Sequence, residues 1–132
     1  MYVKLGEPNR GRVPKRVLIV EDEQDVADLV ADILGLEGFE ARIASGETAL
    51  DDALTFEPDV VLLDLMMPVV DGFEVARRLN ARSETRSLPI VVMTAMQDAS
   101  SRAKELGTEH FLAKPFDIGE LLDRIEQASN SR

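Results

Sequence analysis

Val60 to Gly72 reads VVLLDLMMPVVDG, and the reading of this stretch decides the fold. Val60 to Leu63 form an unbroken apolar run, preceded by Pro58 and followed by Pro68 and Asp71-Gly72. A short apolar run between breakers fits a strand buried on both faces, as in a parallel sheet. The run ends in a carboxylate, Asp64. In open α/β sheets ligands bind beyond the carboxyl ends of the strands, so Asp64 stands where chemistry is expected. Taken singly, an aspartate at a strand end is also a common turn former or helix cap. What ends the other strands separates these readings.

Upstream, Val17 to Val20 (VLIV) is a second buried run, ending in Glu21, Asp22 and Glu23. Val26, Leu29, Val30, Ile33 and Leu34 then recur at helical spacing, with Gly38 as a C-terminal stop. Phe39 to Ala44 reads as a short strand. Ser45 is placed to cap a helix carrying Ala49, Leu50, Ala53 and Leu54 inward. Downstream of Asp71-Gly72, a helix carries Phe73, Ala76 and Leu79. Arg82 to Ser87 is polar and loop-like. Pro89 to Met93 (PIVVM) is a further strand, ending at Thr94. Asp98 can cap a fourth helix whose apolar face, Ala99, Ala103 and Leu106, is thin; Gly107 stops it. His110 to Ala113 forms the last strand, ending at Lys114-Pro115, with His110 expected at the surface. Asp117 and Glu120 form a capping-box pair that opens a fifth helix with Ile118, Leu121, Leu122 and Ile125 as its buried stripe. Strand and helix thus alternate five times, which implies right-handed crossovers and a parallel sheet covered on both faces.

Composition agrees and narrows the function. The 132 residues are 45% hydrophobic and 30% charged, one globular domain by length. The absence of cysteine excludes disulfides, thiolate metal sites and cysteine nucleophiles. No apolar run approaches the roughly 20 residues that span a bilayer, and Met1 to Lys15 lacks the apolar core of a secretory signal. A cytoplasmic location is the expectation. The net charge is −10 although residues 1–16 carry five basic side chains against Glu7. So acidic a body disfavours a broad nucleic-acid footprint.

With the strands parallel, Glu21, Asp22, Glu23, Asp64, Thr94 and Lys114 share one edge. Carboxylates about 4 Å apart repel by about 4 kcal/mol at an effective dielectric near 20. A hard divalent cation relieves this, and Mg²⁺ prefers oxygen ligands and bridges to phosphate. Lys114 suits a phosphoryl oxygen and Thr94 can hydrogen-bond another. Together they read as an aspartate that accepts a phosphoryl group with Mg²⁺ assistance. Singly, each of these residues is ordinary; their joint placement at successive strand ends is the signal.

VLIVEDE at 17–23, VVLLDLMMPVVDG at 60–72, MTA at 93–95 and FLAKPF at 111–116 resemble, in this order, the receiver domain of bacterial two-component response regulators. The resemblance covers about residues 15–128. It implies a flavodoxin-like (βα)5 fold with strand order 2-1-3-4-5, a receiver domain over 15–128, a flexible lead over 1–14 and a tail over 129–132. By resemblance Asp64 is the phosphoacceptor, forming a 4-aspartylphosphate. Asp22, Asp64 and the backbone carbonyl of Met66 ligate Mg²⁺, and Glu21 acts on it through water. Thr94 and Lys114 hold the phosphoryl oxygens, and Thr94 and Phe111 form the switch. The Lys114–Pro115 bond is cis in the family, whereas an X-Pro bond taken alone favours trans.

The partners implied are a sensor histidine kinase or phosphotransfer protein as donor and a downstream protein target. The target would read the surface of the fourth helix, fifth strand and fifth helix, through which a homodimer can also form. Neither direct nucleic-acid contact by this domain nor a membrane is implied. Such a domain assists its own phosphorylation and is not otherwise an enzyme. Met66 and Met96 flank the pocket where the family often has polar groups that orient a hydrolytic water, so slow loss of the phosphoryl group is expected. Rival readings are an aspartate-nucleophile phosphatase of the haloacid dehalogenase type, opposed by Met66 in place of its second aspartate, and a flavodoxin-like cofactor carrier, opposed by acids in place of a phosphate loop. A third is a receiver-fold scaffold that is never phosphorylated. Few residues follow the fifth helix, so the chain is expected to be either a stand-alone regulator or the receiver of a longer DNA-binding or enzymatic one.

Overall fold

The computed structural model describes residues 14–130. The strands are β1 (Arg16–Val20), β2 (Glu40–Ala44), β3 (Val60–Asp64), β4 (Ile90–Thr94) and β5 (His110–Ala113). They form one sheet in the order β2-β1-β3-β4-β5, every neighbouring pair parallel. The helices between and after them are α1 (Gln24–Leu36), α2 (Ala49–Phe56), α3 (Gly72–Asn80), α4 (Ala99–Glu105) and α5 (Ile118–Asn130). The expected alternation, the parallel sheet and the strand order implied by the resemblance are all present. The lead over 1–14 lies, apart from Pro14, outside the described residues, as do residues 131 and 132.

Because side chains alternate across a strand, each central strand feeds two cores. Val17, Ile19, Val60, Leu62, Val91 and Met93 face one way and pack with Val30 and Leu34 of α1 and Leu121 and Ile125 of α5. Leu18, Val20, Val61, Leu63 and Val92 face the other way, toward α2, α3 and Ala103 of α4. All five residues of β3 are buried, which explains its unbroken apolar run. No helix among the described residues is long and apolar enough to cross a membrane.

The helix ends follow local chemistry. At the end of α1 the Phe39 N–H donates to the Leu34 carbonyl and the Gly38 N–H to Gly35, closing the helix around Gly38 at φ 93°. Asp71 caps α3, accepting from the Glu74 N–H at 2.9 Å. At α5 the expected reciprocal pair is present: Asp117 Oδ1 accepts from the Glu120 N–H at 2.7 Å, and Glu120 Oε1 from the Asp117 N–H at 3.2 Å.

Several expectations are corrected. Leu29 is 60% exposed and Ile118 54% exposed, although the sequence pattern places both on buried stripes. In α1 the small Ala27, with Val30 and Leu34, marks the centre of the buried face, and Leu29 lies beyond its margin. Ile118 occupies the first position of α5 and borders an open groove instead of the core. Ser45 does not cap α2 directly: Thr48 is the N-cap, and the Ser45 hydroxyl instead accepts from the Thr48 N–H at 3.2 Å. Asp98 holds the N-cap position of α4 but in a left-handed conformation, φ 60°, with no side-chain capping bond. His110 is half-buried with Nδ1 shielded from solvent, because α4 packs beside β5. Helix α5 continues through Ser129 and Asn130, where the sequence suggested a polar tail.

Candidate functional site

The carboxyl ends of β1, β3, β4 and β5 bring the expected groups to one rim. Glu21 follows β1 directly and is 3% exposed; Asp64 ends β3 and is also 3% exposed; Thr94 ends β4 and is fully buried. Carboxylate oxygens of Glu21, Asp22 and Asp64 all lie within 4.8 Å of one another. Asp22 is the exposed member of this cluster.

Lys114, just beyond β5, reaches across the cluster. Its Nζ is 3.0 Å from Glu21 Oε1 and 3.6 Å from Asp64 Oδ2. The Lys114 N–H donates to the Thr94 carbonyl at 2.8 Å, and the Lys114–Pro115 bond is cis, as the resemblance implied. The second oxygen of Glu21, Oε2, accepts from the Glu23 N–H at 3.2 Å. Both oxygens of Glu21 are therefore engaged within the protein.

Asp64 Oδ1 accepts from the Met66 N–H at 3.1 Å. Thr94 Oγ1 accepts from the Met96 N–H at 3.0 Å, which leaves its own hydrogen free to donate into the pocket. These two contacts have the same form, a side chain at a strand end accepting from the N–H two residues on. The Met66 side chain is 56% exposed and Met96 half-buried.

Burial raises the Asp64 carboxyl from 3.8 to about 6, with the Met66 N–H and Lys114 opposing the rise and Glu21 adding to it. The Lys114 ammonium is raised: burial works against it, but Glu21, Asp64 and Glu23 outweigh burial. Two buried carboxylates facing one ammonium form a site short of positive charge. The donor set is all hard oxygen, so it fits a small divalent cation such as Mg²⁺.

The base of the site is built by close backbone packing. A Cβ at Gly72 would fall against the Asp64 carbonyl oxygen and 2.7 Å from Leu65 Cα, so only glycine lets α3 start beneath β3. Beside the rim, Val26, Leu29, Ile33, Phe116 and Ile118 line an apolar groove of about 480 Å³ that Lys114 also borders. The sequence reading missed this groove, since it placed Leu29 and Ile118 inside. It also missed the Glu21–Lys114 pair, which joins residues 93 positions apart. Phe111 is half-buried, with the Arg124 guanidinium 5.4 Å from its ring centre.

Residues 17–126 match the sequence model of the family described as the response regulator receiver domain. The chain is 34% identical over 113 residues to the DNA-binding dual master transcriptional regulator RpaA of Synechocystis sp., covering 83% of this chain and 47% of that protein. It is 40% identical over 116 residues to the response regulator MprA of Mycolicibacterium vanbaalenii, covering 86% of this chain and 49% of MprA. The chain thus spans about half the length of the curated relatives it matches. Among solved structures it is similar to the receiver domain of sensor histidine kinase PA1611 from Pseudomonas aeruginosa PAO1, determined with a magnesium ion coordinated in its active-site cleft. The TM-score is 0.78 at 27% identity, covering 87% of this chain and 97% of that one.

Proposed function

Because the chain belongs to the response regulator receiver family, we propose that Asp64 accepts a phosphoryl group from the phosphohistidine of a sensor kinase or phosphotransfer protein. The observation that carries this reading is the meeting of Asp64, Lys114 and Thr94 with the Glu21–Asp22–Asp64 cluster on one rim. An Asp64 oxygen attacks phosphorus in line; the O–P bond forms as the N–P bond to the donor imidazole breaks, and the imidazole leaves. Lys114 meets one phosphoryl oxygen and the Thr94 hydroxyl donates to another.

Mg²⁺ would be held by Asp22, Asp64 and the Met66 carbonyl, and when bound it supplies charge neutralisation for the phosphoryl oxygens. Glu21 would act through water, which fits the engagement of both its oxygens by Lys114 and the Glu23 N–H. Ionised Asp64 is the reactive form, and a pKa of about 6 leaves it mostly ionised at neutral pH. The apolar groove bordering Lys114 offers the donor protein a surface beside the reacting atoms.

In this reading the chain is a signalling domain that promotes its own phosphorylation. Its output runs through Thr94 and Phe111 to α4, β5 and α5, which a protein target or a second copy reads. The thin apolar face of α4 and the uncapped, left-handed Asp98 at its start support α4 as the movable part. A DNA-binding output, as in the DNA-binding regulator RpaA, would come from a further module. The test is binding of acetyl phosphate or beryllofluoride with Mg²⁺, followed by amide NMR. Shifts at the rim that spread to α4 and Phe111, absent in Asp64→Asn, are expected; binding unaffected by Asp64→Asn contradicts the reading, and a protein inert to both reagents favours the scaffold alternative.

A further inference from the structure

Phe111 lies on β5, in register with Val92 of β4, and packs half-buried against the core that includes Val92 and Ala103. Its outer side is covered by a charge. Arg124, two turns into α5, places its guanidinium carbon 5.4 Å from the centre of the Phe111 ring. Among the described residues Arg124 has no carboxylate partner; its other polar contact is Nη1 to Gln127 Oε1 at 3.3 Å. A guanidinium with no ion pair among the described residues, lying over an aromatic ring, gains an electrostatic partner from the ring face itself. A planar guanidinium also meets an aromatic face in ways a compact ammonium does not reproduce.

The consequence concerns motion. If the ring turns to full burial, it leaves the guanidinium behind, because an unpaired cation cannot follow it into the core without a large desolvation cost. Every inward turn of Phe111 therefore breaks the contact with Arg124, and every outward turn restores it.

We propose that Arg124 is a positioning residue for Phe111, holding the ring in its half-buried orientation and so setting how readily the switch closes. The proposal rests on the reading of Phe111 as the switch aromatic given above, and it adds a restraint on α5 to the pull from Asp64.

The test is ¹⁹F NMR of the full chain labelled with 4-fluorophenylalanine. The five phenylalanine signals are assigned by Phe111→Leu, and the Phe111 populations are followed in wild type, Arg124→Gln and Arg124→Lys. In the unphosphorylated protein, Arg124→Gln is expected to move the ratio of orientations about two- to fivefold toward the inward one, the range for losing one exposed cation–π contact. Arg124→Lys is expected to recover part of that shift, while the other four signals stay in place in both variants. An unchanged Phe111 signal in Arg124→Gln overturns the assignment. A second arm adds beryllofluoride and Mg²⁺ to wild type. Failure of Phe111 to respond there refutes the switch reading, while the comparison without reagent still decides the role of Arg124.

Discussion

The Lys114 ammonium is closer to Glu21, at 3.0 Å, than to Asp64, at 3.6 Å. In the resting protein Lys114 is thus held by Glu21, a buried neighbour of Asp64, and only shared with Asp64. Removing it leaves two buried carboxylates facing each other. Lys114→Met is expected to lower stability at pH 7 by about 1–3 kcal/mol, a moderate cost because the Lys114 side chain is itself partly exposed. The loss should shrink at pH 5, where Asp64 takes up a proton. Urea unfolding at the two pH values, in EDTA, checks this; equal losses at both would contradict it.

Asp64 itself makes stability depend on pH. Its folded pKa of about 6 exceeds the ordinary 3.8, so the folded protein binds this proton more tightly than the unfolded chain. The metal-free protein should therefore lose stability as pH rises from about 4 to about 6 and stay at the lower level above. Asp64→Asn should remove this slope and gain about 1–2 kcal/mol at pH 7, a figure kept below the full linkage value because Asp22 and Lys114 beside it remain open to solvent. Thermal unfolding across the range, wild type against variant, measures both effects.

Gly72 is a second point of sensitivity. Its missing Cβ makes room for the Asp64 carbonyl and Leu65 Cα. Gly72→Ala must push α3 away from β3 at Asp64. A destabilisation of about 2–4 kcal/mol is expected, measured by denaturant unfolding. Gly35→Ala makes the control, because a Cβ there meets nothing within 4 Å.

The lifetime of the phosphorylated state follows from Met66 and Met96. Their backbone N–H groups bond Asp64 and Thr94 at the rim, and thioethers are poor partners for an attacking water. The phosphorylated protein, freed of donor and held in Mg²⁺, should lose its phosphoryl group slowly. Met66→Asn should speed the loss about fivefold to tenfold, the effect of one well-placed hydrogen bond on a barrier. Rapid loss in the wild type without a phosphatase would contradict the reading.

Much of this was legible in the sequence because strand ends are marked twice, by the close of an apolar run and by the group that follows it. VLIV-EDE, VVLL-D, VVM-T and FLA-K each carry both marks, and parallel order then brings the groups together. The capping pair Asp117 and Glu120 was equally plain, being local. What escaped depends on rotation and distance. Leu29 looks like a core residue until Ala27 is seen to centre the buried face of α1. The Glu21–Lys114 and Arg124–Phe111 contacts join segments whose separation and side-chain reach no local pattern encodes.

The central claim is that Asp64 takes the phosphoryl group on a rim shared with Lys114, Thr94 and the acidic cluster. The most direct measurement is incubation with radiolabelled acetyl phosphate and Mg²⁺, followed by peptide mapping of the labelled residue. The account predicts acid-stable, base-labile label confined to Asp64, lost in Asp64→Asn and in EDTA. Label on any other residue, or label that survives Asp64→Asn, would contradict it.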